Sequence, residues 1–313
     1  MANNRIFYAC QMVAIGNKDG TGNFAKLHGV QSVGINTTFN LEQVYEIGMI
    51  SLYSNIEGIA DIDVTMEKVL DGYPLLYLSA TKEVNTPTTL NAKSSARCSV
   101  ALRITNDTFE SSSGTSTVCL MKNMVVNQVS YKASVDGNIT ESIGLVGNEK
   151  TWTNLWVADD FLSGNTPDEP AYTGGVARRQ HVNVSGSTLP SIISNSDSIQ
   201  SLSVSASITR EKILELGRKA PYFRYAKFPV EISSEFEVIA KSGDGMNISE
   251  TQNNLTDETI IIIFSEGTTI NLGTKNKMQS LNYQGGGTDG NNATINYSFK
   301  TFNDFTVTHN PPP

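Results

Sequence analysis

Cysteine is scarce in this sequence, and membrane-spanning runs are missing from it. Cys10, Cys98 and Cys119 are far apart and form no C-x-x-C pair, so neither a zinc site nor a disulfide scaffold is expected. No apolar run reaches membrane-spanning length. The start "MANNRIFYACQMVAIG" lacks a basic region followed by a long apolar segment. We therefore expect no secretory signal and no membrane insertion, and synthesis in a reducing cytosol.

Positive charge is also in short supply. The 313 residues include 23 basic and 31 acidic side chains, which gives a net charge of -8. Tight binding to nucleic acid needs a cationic surface that neutralises phosphates, so this balance argues against it. Hydrophobic residues make up 39% of the chain and charged residues 17%, which is typical of a globular protein with one large or two medium domains.

Motifs of catalysis and metal binding are lacking. The chain has no G-x-S-x-G elbow and no Walker A sequence. The stretch "NKDGTGNF" at 17–24 resembles the start of an EF-hand loop, but His28 stands where a bidentate glutamate is needed. "GGGTDG" at 285–290 is followed by a strand-like stretch rather than a helix, against the dinucleotide pattern. We expect no catalytic residue, metal or cofactor. An enzyme would need a site built from distant residues, which no motif favours.

What the sequence does contain is an internal repeat. A shift of 169 residues aligns 11–53 with 180–222 without a gap, and eight of the 43 positions are identical. The identical pairs are Gln11/Gln180, Val13/Val182, Gln31/Gln200, Ser32/Ser201, Glu42/Glu211, Glu46/Glu215, Gly48/Gly217 and Tyr53/Tyr222. Apolar residues alternate with polar ones in register at 33–39 and 202–208, which predicts a strand with one buried face in each copy.

A short helix is predicted after each of these strands. "FNLEQVYEIG" (39–48) and "ITREKILELG" (208–217) carry N-cap residues at Asn40 and Thr209, and glycines suited to a left-handed C-cap at Gly48 and Gly217. Each helix would be about two turns long and held by packing. We interpret the pair as one structural joint used twice, without a ligand-binding role.

Two later strands carry acidic faces. In "IADIDVTMEKVL" (59–70) and "FPVEISSEFEVIA" (228–240), apolar residues alternate with acidic or hydroxyl side chains. The acidic residues are Asp61, Asp63, Glu67, Glu231, Glu235 and Glu237. Two interpretations stay open: a solvated face of an antiparallel sheet, or a surface that several copies of the chain share.

The repeat predicts a mainly β protein with two tandem domains of antiparallel strands, each with one short α-helix. We place the first domain at 1–160, a linker at 161–176 and the second domain at 177–313. Matching hairpins turned by Asp-Gly extend the repeat through 129–146 and 281–299. The region 148–175 ends in a stretch rich in glycine, proline and aspartate, and its role stays open.

Two segments of the second half resemble tail-tube proteins of tailed bacteriophages. They are "SVSASITREKILELGRKAPYFRYAKFPVEISSEFEVIA" at 203–240 and "NYSFKTFNDFTV" at 296–307. The resemblance lies in the order of strands and helix, and the internal repeat carries it to the first half. It implies an antiparallel sandwich or barrel with a short flanking helix, whose copies join edge to edge into stacked rings. Rings of this family generally hold six domains, and some of its members fuse two domains, so that three chains form a pseudo-sixfold ring.

The resemblance implies a structural role as the major tail-tube subunit, in a virion tail, beside sheath, terminator or baseplate proteins. The six acidic residues would then line a channel that passes double-stranded DNA without holding it, since carboxylates repel phosphate. Loops at 81–96, 106–116 and 243–258 are candidates for contacts between rings. The alternatives are a baseplate, tail-terminator or decoration protein, or, in another class, a two-domain carbohydrate-binding β-sandwich. Tail contraction, host and the number of chains per ring stay open.

Overall fold

The computed structural model describes residues 6–21, 24–84, 86–105, 116–153, 175–186, 189–190, 193, 198–241, 255–286 and 292–310. Strands account for 57% of the structure and helices for 7%, and the strands form antiparallel sheets. The predicted mainly β class is therefore confirmed. The domain boundaries at 160, 161–176 and 177 stay a prediction, because most of that linker lies outside the described residues.

We call the elements up to residue 153 the first unit. Its strands are β1 (Gln11–Asn17), β2 (Ala25–Lys26), β3 (Val30–Thr38), β4 (Leu41–Tyr45), β5 (Leu52–Glu57), β6 (Asp61–Val69), β7 (Cys98–Thr105), β8 (Ser116–Ser134), β9 (Thr140–Gly147) and β10 (Glu149–Thr153). Its helices are α1 (Leu76–Ala80) and α2 (Leu90–Lys93). Residues 81–96, predicted as a loop, therefore contain a helix, and Leu90 in it is buried.

The elements from residue 182 onward form the second unit. Its strands are β11 (Val182–Ser185), β12 (Ile199–Ser207), β13 (Arg210–Ile213), β14 (Phe223–Ala226), β15 (Glu231–Ile239), β16 (Ile261–Phe264), β17 (Thr268–Asn271), β18 (Lys277–Gln284), β19 (Thr294–Phe302) and β20 (Thr306–His309). A run of eight strands passes through both units in the order β3-β6-β9-β8-β12-β15-β19-β18. One face of this run is buried in a core cluster to which both units contribute.

Strand pairings of the first unit recur in the second. The order β3-β6-β9-β8 corresponds to β12-β15-β19-β18, and the order β1-β7-β8-β10 corresponds to β11-β16-β17-β20. The ladders even share their irregularities. Gln31 is an extra residue in β3 opposite β6, and Gln200 is an extra residue in β12 opposite β15. A bulge is a specific local feature, so its recurrence at positions related by the 169-residue shift ties the two registers together.

The two helices predicted at the joints are wrong, because both segments form β-hairpins. β4 pairs with β5, and β13 pairs with β14, in matching registers. We call these hairpins the first arm (41–57) and the second arm (210–226). A two-turn helix gains few hydrogen bonds for a costly nucleus, whereas each arm satisfies its backbone through a cross-strand ladder.

The four predicted cap residues lie at equivalent places of the two arms. Gly48 and Gly217 occupy tight turns with φ of 90° and 82°, a region that favours glycine. Asn40 and Thr209 lie at the base of each arm, where their carbonyls accept hydrogen bonds from Gly58 N (2.6 Å) and Lys227 N (2.8 Å). The secondary structure predicted for the two segments is therefore wrong, and a common structural role of the four residues stays a prediction.

Candidate self-assembly surfaces

The two units meet where β8 of the first pairs with β12 of the second. The ladder runs from Ser201 opposite Ser134 to Ser207 opposite Gln128. The last strand of one four-stranded set thus pairs with the first strand of the next set. Val204 and Tyr131 face each other on the buried side of this junction, and both are fully buried.

The outer edges of the eight-strand run are β3 and β18, the counterparts of β12 and β8. In the part of the chain that the structure describes, β3 pairs with β6 alone and β18 with β19 alone. Ile35 on β3 is half-buried, and Tyr283 on β18 is 47% exposed, although both lie on the core side of the sheet. Among the described residues, each edge therefore has no strand paired along its outer side and carries apolar side chains beside it, which is typical of a strand-pairing surface.

The second arm is fixed to the first unit by ion pairs on Asp61. Lys212 and Arg224, opposite each other in the arm, both donate to this carboxylate. Arg224 also donates to Asn148 Oδ1 at 2.9 and 3.1 Å. Burial on its own raises the pKa of Asp61, but the hydrogen bonds from Lys212 and Arg224 outweigh it and lower that pKa to about 2.

Arg210 forms a second attachment of the same arm. Its guanidinium donates to the carbonyl oxygens of Val126, at 2.8 Å from Nε, and Ser94, at 2.6 Å from Nη1. Burial lowers the pKa of Arg210 to about 10, which still leaves it charged at neutral pH. The second arm is thus held by three cations that reach onto the first unit.

The first arm has an exposed apolar surface. Ile47 and Ile50, at its turn, are fully exposed. The other exposed apolar residues in and beside this arm are Phe39, Leu41, Tyr45, Met49, Leu52, Tyr53 and Ile56. Such a concentration of exposed apolar side chains in one hairpin indicates an interaction site, because leaving them in water is unfavourable.

The six acidic residues lie on the face of the sheet opposite the core, between buried neighbours in β6 and β15. They differ in their partners. Asp61 is bound by the second arm, and Glu231 forms an ion pair with Lys300 at 2.7 Å. Glu237 accepts a hydrogen bond from Ser201 Oγ at 3.0 Å, and Glu235 is exposed. The remaining two, Asp63 and Glu67, are half-buried.

Glu235 and Glu237 line an open groove of about 670 Å³ over the polar face of the sheet. Hydroxyl and amide side chains form most of its wall, and Lys132 contributes a positive charge. Asp61 and Asp63 lie apart from it, in a smaller depression beside Arg224. The structure thus separates four of the predicted acidic residues into two places, and Glu67 and Glu231 line neither depression. Their position in a channel stays a prediction.

The sequence patterns did not predict the role of Lys212, Arg224 and Arg210, the cations that attach the second arm to the first unit. The helical interpretation hid them, because the alternation that places Lys212 beside Arg224 exists only in a hairpin. One signal was available in the repeat itself. Gln43 and Asn55 stand at the equivalent positions of the first arm, so the two copies differ in charge at this place.

A buried polar cluster in the first unit supports α1. The Glu141 carboxylate accepts hydrogen bonds from Leu76 N (2.6 Å), Tyr77 N (3.0 Å) and the Tyr131 hydroxyl (2.8 Å). These donors include free N–H groups at the start of the helix, so Glu141 acts as a distant cap. Burial raises the pKa of Glu141, and the three hydrogen bonds oppose that rise.

Within the described ranges, no group of three His, Cys, Asp or Glu side chains is placed to hold a metal ion. Among the same residues, no helix has the length and apolar character needed to cross a bilayer.

No family model matches the chain, and no curated protein matches it. A chain from the cryo-EM structure of the anti-feeding prophage baseplate, 6-fold symmetrised, is similar to this one at 11% sequence identity. The similarity covers 49% of this chain and 98% of that chain, with a TM-score of 0.35. A TM-score of this size does not establish a shared fold, so the arguments that follow rest on the geometry of this chain.

Proposed function

We propose that this protein is a structural subunit of a phage tail, the major tail-tube protein. Copies of the chain join edge to edge into rings, and the rings stack into a hollow tube through which DNA passes. One observation carries the proposal: the two outer edges of the sheet are the counterparts of the two strands that already pair inside the chain. A contact that the chain makes once internally is available for repetition between chains.

The internal junction predicts the register of the external one. One row of paired residues crosses the first unit as Ser32, Glu67, Ser142 and Ser130, and the matching row crosses the second as Ser201, Glu237, Asn296 and Asn282. Ser130 pairs with Ser205 across the internal junction, and Ser205 corresponds to Asn36 in β3. Asn282 of one chain should therefore pair with Asn36 of the next.

A closed ring requires that the same rotation relates each chain to the next. An edge-to-edge contact between unlike strands is heterologous, so it closes into a ring or continues as an open helix. We propose that two similar units per chain let three chains supply the six units of a pseudo-sixfold ring. Closure would pair β3 and β18 of every chain and leave no free edge on this sheet.

The polar face of the sheet is proposed as the wall of the channel. It carries hydroxyl and amide groups with acidic side chains such as Glu235, and its few cations include Lys300, which is already bound to Glu231. A surface of this chemistry gives phosphates few cationic contacts, so DNA can slide along it. The location in a virion tail and contacts with sheath, terminator or baseplate proteins belong to the same proposal. No catalytic residue or cofactor is assigned.

Two alternatives are separated from the tube by simple observations. A baseplate, terminator or decoration protein would be present in few copies per particle or only at one level of the tail, whereas a tube needs very many copies. A carbohydrate-binding sandwich is favoured by exposed aromatic residues, among them Tyr53 and Tyr222 on the arms. It would remain a monomer and bind glycans.

Negative-stain microscopy of the purified chain over a range of concentrations tests the proposal. We expect rings at moderate concentration and hollow filaments of uniform width at high concentration. A chain that stays monomeric at every concentration would contradict the proposal, and glycan binding by that monomer would favour the sandwich alternative.

A further inference from the structure

The two arms differ in charge at their matching positions. Lys212 and Arg224 form a cross-strand pair in the second arm and reach Asp61 on the first unit. In the first arm the same cross-strand pair consists of Gln43 and Asn55, which carry no charge. The first arm therefore cannot form the ion pairs that fix the second arm.

The surface on which the first arm would lie differs in a complementary way. Asp61 begins β6, and its counterpart at the start of β15 is Glu231. Asp61 takes its cations from the arm, whereas Glu231 is bound by Lys300 of its own sheet at 2.7 Å. The ion pairs of Asp61 therefore have no counterpart at the second unit. The first arm carries Gln43 and Asn55 in place of the two cations, and Glu231 is already paired with Lys300.

Apolar residues occupy the remaining matching positions on the second unit. Asn148, which accepts hydrogen bonds from Arg224, directly follows β9. Phe302, the last residue of β19, stands at the corresponding position of the second unit and is 53% exposed. Val126, whose carbonyl receives Arg210, corresponds to Met278, since both precede the same bulge in their ladders. The seat on the second unit therefore presents the exposed phenyl ring of Phe302, and the half-buried Met278, which packs against the core, lies in the edge strand beside it.

The first arm carries matching apolar side chains. Leu41 stands in the position of Arg210 and is 62% exposed, and Phe39 stands in the position of Ile208 and is 71% exposed. Ile208 itself is buried, at 2% exposure, because it lies at the junction of the two units. An equivalent junction between two chains would bury Phe39 and Leu41 in the same manner.

We infer that the first arm of one chain docks on the second unit of the neighbouring copy, with Phe39 and Leu41 packed against Met278 and Phe302. This inference rests on the proposed edge-to-edge assembly, and it specifies the chemistry of the contact. The junction inside the chain is closed by ion pairs, and the junction between chains is closed by apolar contact. Added salt screens ion pairs but does not weaken apolar burial, so the rings should persist at high ionic strength.

Substitution of Phe302 by Asp tests the inference in the full chain. A central aromatic contact in an interface is commonly worth a tenfold change or more in affinity. We expect Phe302→Asp, and separately Leu41→Asp, to raise the concentration needed for assembly by about tenfold or more. Ile263→Asp is the matched control, because Ile263 is a 38% exposed aliphatic residue of β16, which belongs to the separate four-stranded sheet β11-β16-β17-β20. Circular dichroism of the dilute monomers checks that all three variants fold.

A compensating substitution makes the test specific for this contact. Asn55 corresponds to Arg224, and Phe302 to Asn148, so Asn55→Lys with Phe302→Asp places opposite charges across the junction. We expect this double variant to assemble at low salt and to dissociate as salt rises, unlike the unaltered chain. Sedimentation velocity over a series of salt and protein concentrations measures the concentration that each variant needs for assembly.

The outcomes separate this inference from the function on which it rests. If the unaltered chain never assembles, both are overturned. If the unaltered chain assembles and Phe302→Asp and Leu41→Asp behave like Ile263→Asp, the arm contact is overturned and the edge pairing stands. If assembly of the unaltered chain is lost at high salt, the apolar character of the junction is overturned.

Discussion

Arg224 donates a hydrogen bond to Asp61 and forms an ion pair with it, although Asp61 precedes it by 163 positions in the chain. Arg224 is almost completely buried, and Asp61 keeps one fifth of its side-chain surface exposed. The contact joins the second arm to the first unit at the place where the polar face of the sheet begins. It therefore fixes the relation between the two units that the assembly would have to repeat.

Replacement of Asp61 by Asn should destabilise the protein in a pH-dependent way. The folded-state pKa of about 2 lies below the ordinary value of 3.8, so the interaction stabilises the fold above pH 4 and is lost as the pH falls toward 2. We expect Asp61→Asn to lower the free energy of unfolding by about 1–2 kcal/mol at pH 7, since partial exposure reduces the full linkage value. Urea unfolding of dilute monomer between pH 7 and pH 2 should show the difference vanish.

The control for this experiment is Asp257→Asn. Asp257 also forms an ion pair, with Lys277 at 2.7 Å, but both side chains are about half exposed. An exposed pair of this kind contributes less than about 1 kcal/mol. Equal effects of the two substitutions at pH 7 would contradict the role assigned to Asp61.

Removal of the Tyr131 hydroxyl should expose the cost of a buried carboxylate with one donor fewer. Tyr131 and Glu141 are fully buried, and the hydroxyl is one of the three donors to Glu141. We expect Tyr131→Phe to lower the free energy of unfolding by about 1–3 kcal/mol, as measured by urea titration. Tyr45→Phe removes a hydroxyl that donates to Gln43 on the exposed first arm, and it should change that free energy by less than about 0.5 kcal/mol.

A reversed charge on the polar face should convert passage of DNA into retention. Glu235 is exposed in the groove over the sheet, and replacing it with lysine supplies a cation where phosphates would pass. We expect tubes of Glu235→Lys to bind a short DNA duplex about tenfold more strongly than the unaltered tubes at low salt, as measured by co-sedimentation. The duplex should be released as the salt concentration rises. Asp19→Lys makes the same charge change at an exposed residue of the turn after β1, which does not line this groove. Equal retention by both variants would place Glu235 outside the channel.

The positions of β12 and β15 were readable from the sequence, because one face of each strand is buried. β12 and β15 alternate because their side chains point in turn to the core and to the polar face, and that period of two is written directly in the residues. The 169-residue shift also found Gln31 and Gln200, which the structure places at equivalent bulges.

The arms were misread because their local signals are ambiguous. A hydroxyl or amide residue followed eight positions later by glycine fits a capped helix, and it fits equally a hairpin whose turn needs a positive φ at Gly48. The choice is made by the ladder between β4 and β5, whose second strand begins beyond the segment that suggested a helix. The contacts of Asp61 were out of reach for a similar reason, since no local pattern links residues in different units.

Cysteine cross-linking of β3 to β18 directly tests whether these two edges pair between chains. Asn36→Cys and Asn282→Cys in one chain should form disulfides between chains, because directly opposite residues of an antiparallel ladder lie within disulfide range. The native Cys10, Cys98 and Cys119 are buried and should give little background. A matched variant, Asn36→Cys with Leu281→Cys, directs the two thiols to opposite faces of the sheet.

The assembled protein is oxidised gently and then separated under denaturing, non-reducing conditions. Edge-to-edge pairing predicts covalent dimers and closed multimers for the Asn36–Asn282 variant, which disappear on reduction, and none for the Asn36–Leu281 variant. Only monomers from both variants, in a sample that forms rings, would contradict edge-to-edge pairing of β3 with β18.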